Sequence, residues 1–132
     1  ELGRVVTAPD RVTFRQLLTN NVIGCLTAIY DASQVGKVYM PKIRQRQDMA
    51  LWLRILSKGE VAHGLPECLA IYRTDSGRTR NKLKAVGYQW RLYRSVFDQS
   101  RLKSALLTVE YFSKTLVRVL FSRRRAPNTH DR

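Results

Sequence analysis

The sequence predicts an α/β fold, and three observations predict it. Short β-prone runs alternate with helical segments through residues 1–77, the pattern of a mixed layered domain. With 132 residues, 44% of them hydrophobic and 26% charged, the chain has the balance of a globular domain and enough length for one core. From residue 78 the pattern changes to two long stripes at helical spacing, both rich in Lys and Arg, so two basic amphipathic helices are expected after the α/β part.

The elements follow in order. Residues 12–18 read as a short helix capped by Thr13, with Phe14, Leu17 and Leu18 on one face and Asn20 and Asn21 ending it. Residues 25–30 interleave Leu26, Ala28 and Tyr30 with Thr27 and Ile29 and read as a buried strand, closed by a turn at Asp31. Gly36 punctuates the next segment, and residues 38–40 before Pro41 read as extended. Met49, Trp52, Leu53 and Leu56 recur at i, i+3, i+4 and i+7, which predicts a core helix closed by Lys58 and Gly59. Residues 61–65 and 68–73 read as short strands separated by Pro66, with a loop over 74–77.

Beyond that loop, Leu83, Val86, Trp90, Tyr93 and Phe97 mark one helix, and residues 102–121 a second with a stripe of Lys103, Glu110, Lys114 and Arg118. The expected organisation is 1–77 as the α/β part, 78–122 as a basic helical extension, and 123–132 as a disordered basic tail. The sequence opens at Glu1 without Met, which predicts that residues precede it. No signal or membrane-spanning segment is expected.

Lys and Arg number 24 against 10 acids, a net charge of +14. The excess is C-terminal, with thirteen Lys and Arg from Arg78 to Arg125 against Asp98 and Glu110. Anionic partners are therefore expected. Cys25 and Cys68 lack metal-site spacing, so two buried free thiols are expected rather than zinc or a disulfide. A basic nucleic-acid-binding or interaction module is the alternative that charge alone allows. It lacks an RNP-like strand, zinc spacing or a helix-turn-helix signature, so no specific nucleic acid is expected.

The candidate chemistry lies in Arg44-Gln45-Arg46-Gln47-Asp48, immediately before the apolar helix. A carboxylate there is favoured in its charged form by free backbone N–H groups and the helix dipole. It could serve as a base, and equally as a helix cap. Spacing leaves both readings open.

Asn20-Asn21-Val22-Ile23-Gly24, then Tyr39-Met40-Pro41, then Arg46-Gln47-Asp48-Met49-Ala50-Leu51-Trp52-Leu53, then Leu69-Ala70-Ile71-Tyr72-Arg73 and Asn81-Lys82 together resemble bacterial family 2 glycosyltransferases. The resemblance spans about residues 10–95. It implies the acceptor-side, C-terminal half of a GT-A (Rossmann-like) domain and an inverting transfer from a nucleotide sugar to an acceptor hydroxyl in surface or extracellular polysaccharide synthesis. In that family an acidic pair precedes the Leu-Trp-Leu helix, and Asp48 stands where the presumed catalytic base stands. Gln47 occupies the place where Glu is commoner.

The resemblance also implies substrate contacts from Arg46, Gln47, Arg73 and Asn21. It implies a divalent metal, Mg or Mn, held by an Asp-x-Asp pair. No two of the ten acids have that spacing, so the metal is expected only in a longer enzyme, and the 132 residues alone are expected not to transfer sugar. Asp75 stands where some relatives carry a metal-binding His, and His63, without ligand partners, is expected to be a packed or surface residue rather than a catalytic one. Partners implied are a nucleotide sugar and a glycan or lipid-linked acceptor, in the cytoplasm or at the inner face of the membrane. The apolar side of the last helix, Phe112, Leu116 and Leu120, followed by three Arg, suits an anionic membrane surface, packing on the domain, or a second copy of the chain in a homo-oligomer.

Overall fold

The structure, a computed structural model, describes residues 5–71 and 82–124. In chain order the elements are β1 (Arg11–Val12), α1 (Phe14–Thr19), α2 (Ala32–Val35), α3 (Gln47–Leu56), β2 (Ala62–His63), α4 (Lys82–Arg91), a π-helical turn (Leu92–Val96) and α5 (Arg101–Arg124). The strand-like part of 68–73 beyond Ile71, the 74–77 loop and the 125–132 part of the tail lie outside the described residues.

Helix α3 is the centre of the molecule. Met49, Ala50, Leu51, Trp52, Leu53, Ile55 and Leu56 are all buried, the behaviour of a helix apolar on nearly every side. Each large side chain so placed contributes about 1.5–3 kcal/mol. Leu17 from α1, Leu92 and Tyr93 from the π-helical turn, and Tyr111 from α5 complete the same core. The π-helical turn and α5 therefore share one hydrophobic cluster with α1 and α3.

Helix α1 forms as its sequence dictates. The Thr13 hydroxyl accepts from the Gln16 backbone N–H, and the Gln16 side chain accepts from the Thr13 backbone N–H at 2.8 Å, a reciprocal capping box. Asn20 caps its C-terminus.

The strand expectations are corrected. Among the described residues the only ladder pairs Arg11 with His63 and Val12 with Ala62, antiparallel. Residues 25–30 belong to no ladder, and Leu26 and Ile29 are 61% and 95% exposed. The runs at 38–40 and 68–71 are likewise unpaired, with Leu69 and Ile71 exposed. β-prone side chains become a strand only when a neighbouring strand takes up their backbone groups, and among the described residues none pairs with these runs. Cys25 and Cys68 are exposed for the same reason, which corrects the expectation of buried thiols.

Side chains hold the irregular segment before α3 instead. The Tyr30 hydroxyl accepts from the Val38 N–H at 3.2 Å and reaches the Val38 carbonyl at 3.4 Å. Arg54, the one residue of the core run at 49–56 that reaches outward, donates to the Tyr39 carbonyl at 3.2 Å. Lys58 donates to the Val35 carbonyl at 2.6 Å. The β1–β2 corner depends on Gly64, whose N–H donates to the Asp10 carbonyl. A Cβ there would stand 2.2 Å from the Pro9 carbonyl oxygen, so the two chain segments approach as closely as they do only because the residue is glycine.

Helix α5 divides its apolar residues between the core and the surface. Among its described side chains Ser104, Thr108 and Tyr111 are buried, while Leu102, Leu106, Val109, Leu116 and Val117 are exposed. Thr108 donates to the Ser104 carbonyl at 2.7 Å, so small hydroxyl side chains satisfy themselves within the helix and allow close packing. The polar stripe also faces inward in part: the Lys114 ammonium donates to the Thr19 hydroxyl at 2.8 Å and pairs with Glu110 at 2.7 Å.

Candidate functional site

The start of α3 is built from a conformation that its sequence does not announce. Arg46 caps the helix with φ +67° and makes no side-chain capping bond. A non-glycine residue in the left-handed region costs about 1–2 kcal/mol, so tertiary contacts must hold it. They are visible in α5. The Arg46 Nη1 donates to the Tyr111 hydroxyl at 2.9 Å, and its guanidinium carbon lies 5.2 Å from the centroid of the same ring. The expected substrate contact at Arg46 is thus a side chain already engaged with the core.

Asp48 occupies the second position of α3 and is the only acid of the first turn. Arg46 is the cap, so the alternative of Asp48 as N-cap is set aside. The Asp48 carboxylate is half-buried and makes no hydrogen bond or ion pair among the described residues. It is a carboxylate held by the helix beneath it rather than by a partner, free to engage a ligand proton. Gln47 beside it is exposed. Asn21 is half-buried, and its side-chain oxygen, shut off from solvent, finds no partner among the described residues. Arg73, with Asp75, lies outside the described residues. His63 is exposed on β2, and Trp52, buried at 7% exposure, packs in the core. No group of His, Cys, Asp or Glu among the described residues could hold a metal ion.

Two open cavities lie near α4. One, of about 330 Å³, is lined by Arg44, Lys84, Gly87, Tyr88 and Arg91. The other, of about 360 Å³, is lined by Val86, Phe112, Leu116 and their neighbours on α5. Asp48 lines neither. The basic one has a sequence signal that the motif reading passed over: Lys84, Gly87, Tyr88 and Arg91 recur at i, i+3, i+4 and i+7 and so share one helix face. Arg44 could not be joined to them from sequence, being forty residues earlier.

Behind the site lies a buried polar chain. Gln89, fully buried, donates to the Tyr93 hydroxyl at 2.9 Å, and Tyr93 donates to the Leu18 carbonyl. Burial pushes the Tyr93 phenol from 10.0 up to about 12. A glutamine in the midst of Val86 and Trp90 gives no sign in sequence that it is buried.

Comparison with known proteins supplies the class: the chain is homologous to bacterial glycosyltransferases. Over 111 residues, 83% of its length, it is 40% identical to TuaG of Bacillus subtilis (strain 168), a glycosyltransferase named for teichuronic acid biosynthesis, and covers 44% of that protein. It is 33% identical over 91 residues to WfgD of Escherichia coli, covering 67% of this chain and 35% of that one. It is 32% identical over 93 residues to WfaP of Escherichia coli, covering 70% and 37%. WfgD and WfaP are both named UDP-Glc:alpha-D-GlcNAc-diphosphoundecaprenol beta-1,3-glucosyltransferases. The chain therefore spans less than half the length of these relatives. No family model matches it, and no solved structure matches it.

Proposed function

We propose that this chain is the acceptor-side, C-terminal half of a family 2 glycosyltransferase of GT-A fold, with Asp48 as the base that deprotonates the acceptor hydroxyl. One observation carries the reading: the Asp48 carboxylate is half-buried at the start of the core helix and unengaged among the described residues. The Arg46–Tyr111 contact fixes the turn that aims it. An acceptor oxygen within hydrogen-bond reach would pass its proton to Asp48 while attacking the anomeric carbon, and the nucleoside diphosphate would leave from the opposite face. The β linkage in the names of two relatives is the product that such attack gives from an α-linked donor, which supports inversion. The same names support a UDP-sugar donor and a lipid-linked diphosphate acceptor.

A divalent metal at the leaving diphosphate belongs to this reading only in a longer protein. The described residues do not form a site for it. In a protein of the relatives' length, Asp48→Asn should lower kcat by about 10²–10⁴ with KM for the nucleotide sugar unchanged. A variant turning over at the unsubstituted rate sinks the assignment. The 132 residues alone should show no transfer.

The exposed stripe of α5 fits the same reading. Leu102, Leu106, Val109 and Leu116 follow one another along the helix beside the cations Arg101, Lys103 and Lys114, the composition of a helix lying in an anionic lipid interface. None of the described helices is long and apolar enough to cross a membrane. Leu106→Glu with Val109→Glu, both exposed and so harmless to the core, should abolish flotation with phosphatidylglycerol vesicles. Equal flotation of variant and parent would remove the lipid surface from the reading.

A further inference from the structure

We propose that the cleft between Arg44 and the outer face of α4 is a binding site for a diphosphate group. Three cations converge on it, Arg44 from the loop before α3 and Lys84 and Arg91 from α4, with Tyr88 adding a hydroxyl. No acid lines it. Arg44 and Arg91 have no hydrogen-bond or ion-pair partner among the described residues, so their guanidinium donors are available for the bidentate contacts that phosphate oxygens favour. Its volume of about 330 Å³ is at the small end of ligand pockets.

Gly87 gives the second argument. It lies in the interior of α4, where glycine is unfavourable relative to alanine. Nothing stands within 4 Å of where its Cβ would be, and its φ is not in the left-handed range. Neither packing nor backbone conformation requires glycine there. What the missing side chain does is leave open space on the cleft face between Lys84 and Arg91, one turn on either side.

Resting on the transferase reading, the diphosphate belongs to the acceptor. Arg44 stands four residues before Asp48, in the loop that leads into α3, so the cleft and the base lie on adjoining segments, and an acceptor held by its diphosphate would present its sugar hydroxyl on that side of the molecule. The other source of the same chemistry is the diphosphate of the nucleotide sugar.

Calorimetric titration of the 132-residue chain with inorganic pyrophosphate tests the site. The triple variant Arg44→Gln, Lys84→Gln, Arg91→Gln should weaken binding at least about tenfold. The control Arg11→Gln, Arg15→Gln, Lys37→Gln removes the same charge elsewhere and should weaken it less than about twofold, the effect of a screened surface field. Gly87→Leu fills the open space without changing charge and improves helix propensity, so it keeps the test valid should the triple variant unfold. It too should lose at least about tenfold.

Equal losses in the two triples, or unimpaired binding by Gly87→Leu, overturn the site. Geranyl diphosphate and UDP titrated in parallel separate the sources. Loss of geranyl diphosphate binding alone in the cleft variants supports the acceptor assignment, and loss of UDP binding alone overturns it. Because no sugar transfer is measured, failure here leaves the Asp48 assignment standing, and a fully active Asp48→Asn enzyme leaves the binding site standing.

Discussion

Replacing Tyr93 by Phe tests the buried polar chain that fixes α1 and the π-helical turn against α3. The phenol is fully buried, donates to the Leu18 carbonyl in the last turn of α1, and accepts from Gln89 at 2.9 Å. Removing the hydroxyl keeps the ring but leaves a buried carbonyl and a buried amide short of a partner, which costs about 1–3 kcal/mol. A second consequence follows from the phenol being pushed up from 10.0 to about 12 by burial. A group whose value is raised on folding stabilises the fold fully below its unfolded value, and that contribution is lost as pH rises through the folded value. For Tyr93 the loss begins near pH 10 and reaches about 2 kcal/mol at pH 11.5. Urea unfolding of both proteins at pH 7, 9.5 and 11.5 measures this. The parent should exceed Tyr93→Phe by about 1–3 kcal/mol at pH 7 and 9.5, and the gap should shrink by about 2 kcal/mol at pH 11.5. Other tyrosines and lysines titrate in both proteins and cancel in the difference. A gap that stays constant from pH 7 to 11.5 would refute the reasoning.

The Arg46–Tyr111 contact predicts that a double-mutant cycle of Arg46→Ala and Tyr111→Phe, read by chemical denaturation, yields a coupling of about 1 kcal/mol. Because Arg46 is left-handed, Arg46→Gly should be less destabilising than Arg46→Ala, by about 1 kcal/mol. Gly64→Ala should cost at least about 2 kcal/mol in thermal or urea unfolding, since its Cβ has no room beside Pro9, whereas Gly87→Ala, with open space around it, should stabilise by about 1 kcal/mol.

Elements whose stabilising interactions are local were legible in the residues. Helix α1 was readable because Thr13 and Gln16 cap it within one turn, and α3 because its apolar side chains recur at helical spacing whatever surrounds them. Asp48 at the head of α3 was readable from its neighbours. Relations between distant segments were not. The β-prone runs at 25–30 and 68–71 have strand composition, but a strand also needs a neighbour, and propensity cannot report whether one is present. What covers the apolar side of α5 stayed open among a membrane surface, the domain and a second copy, because hydrophobicity marks an apolar face without saying what lies against it. Here the Thr108 hydroxyl bonds the Ser104 carbonyl within the helix and the Ser104 hydroxyl bonds the Gln99 carbonyl just before it, so both lie buried, while Leu107 and Phe112 pack on the core and Leu102, Leu106 and Leu116 stay exposed.

The amino-acid sequence by itself determined the core helix, the capped helix before it, the basic excess and the carboxylate that heads α3, because each follows from residues within a few positions of one another. Only the tertiary structure decided that Arg46 is held in a left-handed turn by Tyr111, sixty-five residues away, and that Arg44 meets Lys84 and Arg91 across a cleft. Contacts of that reach depend on how the helices pack, and packing is a property of the whole assembled core rather than of any local run of side chains.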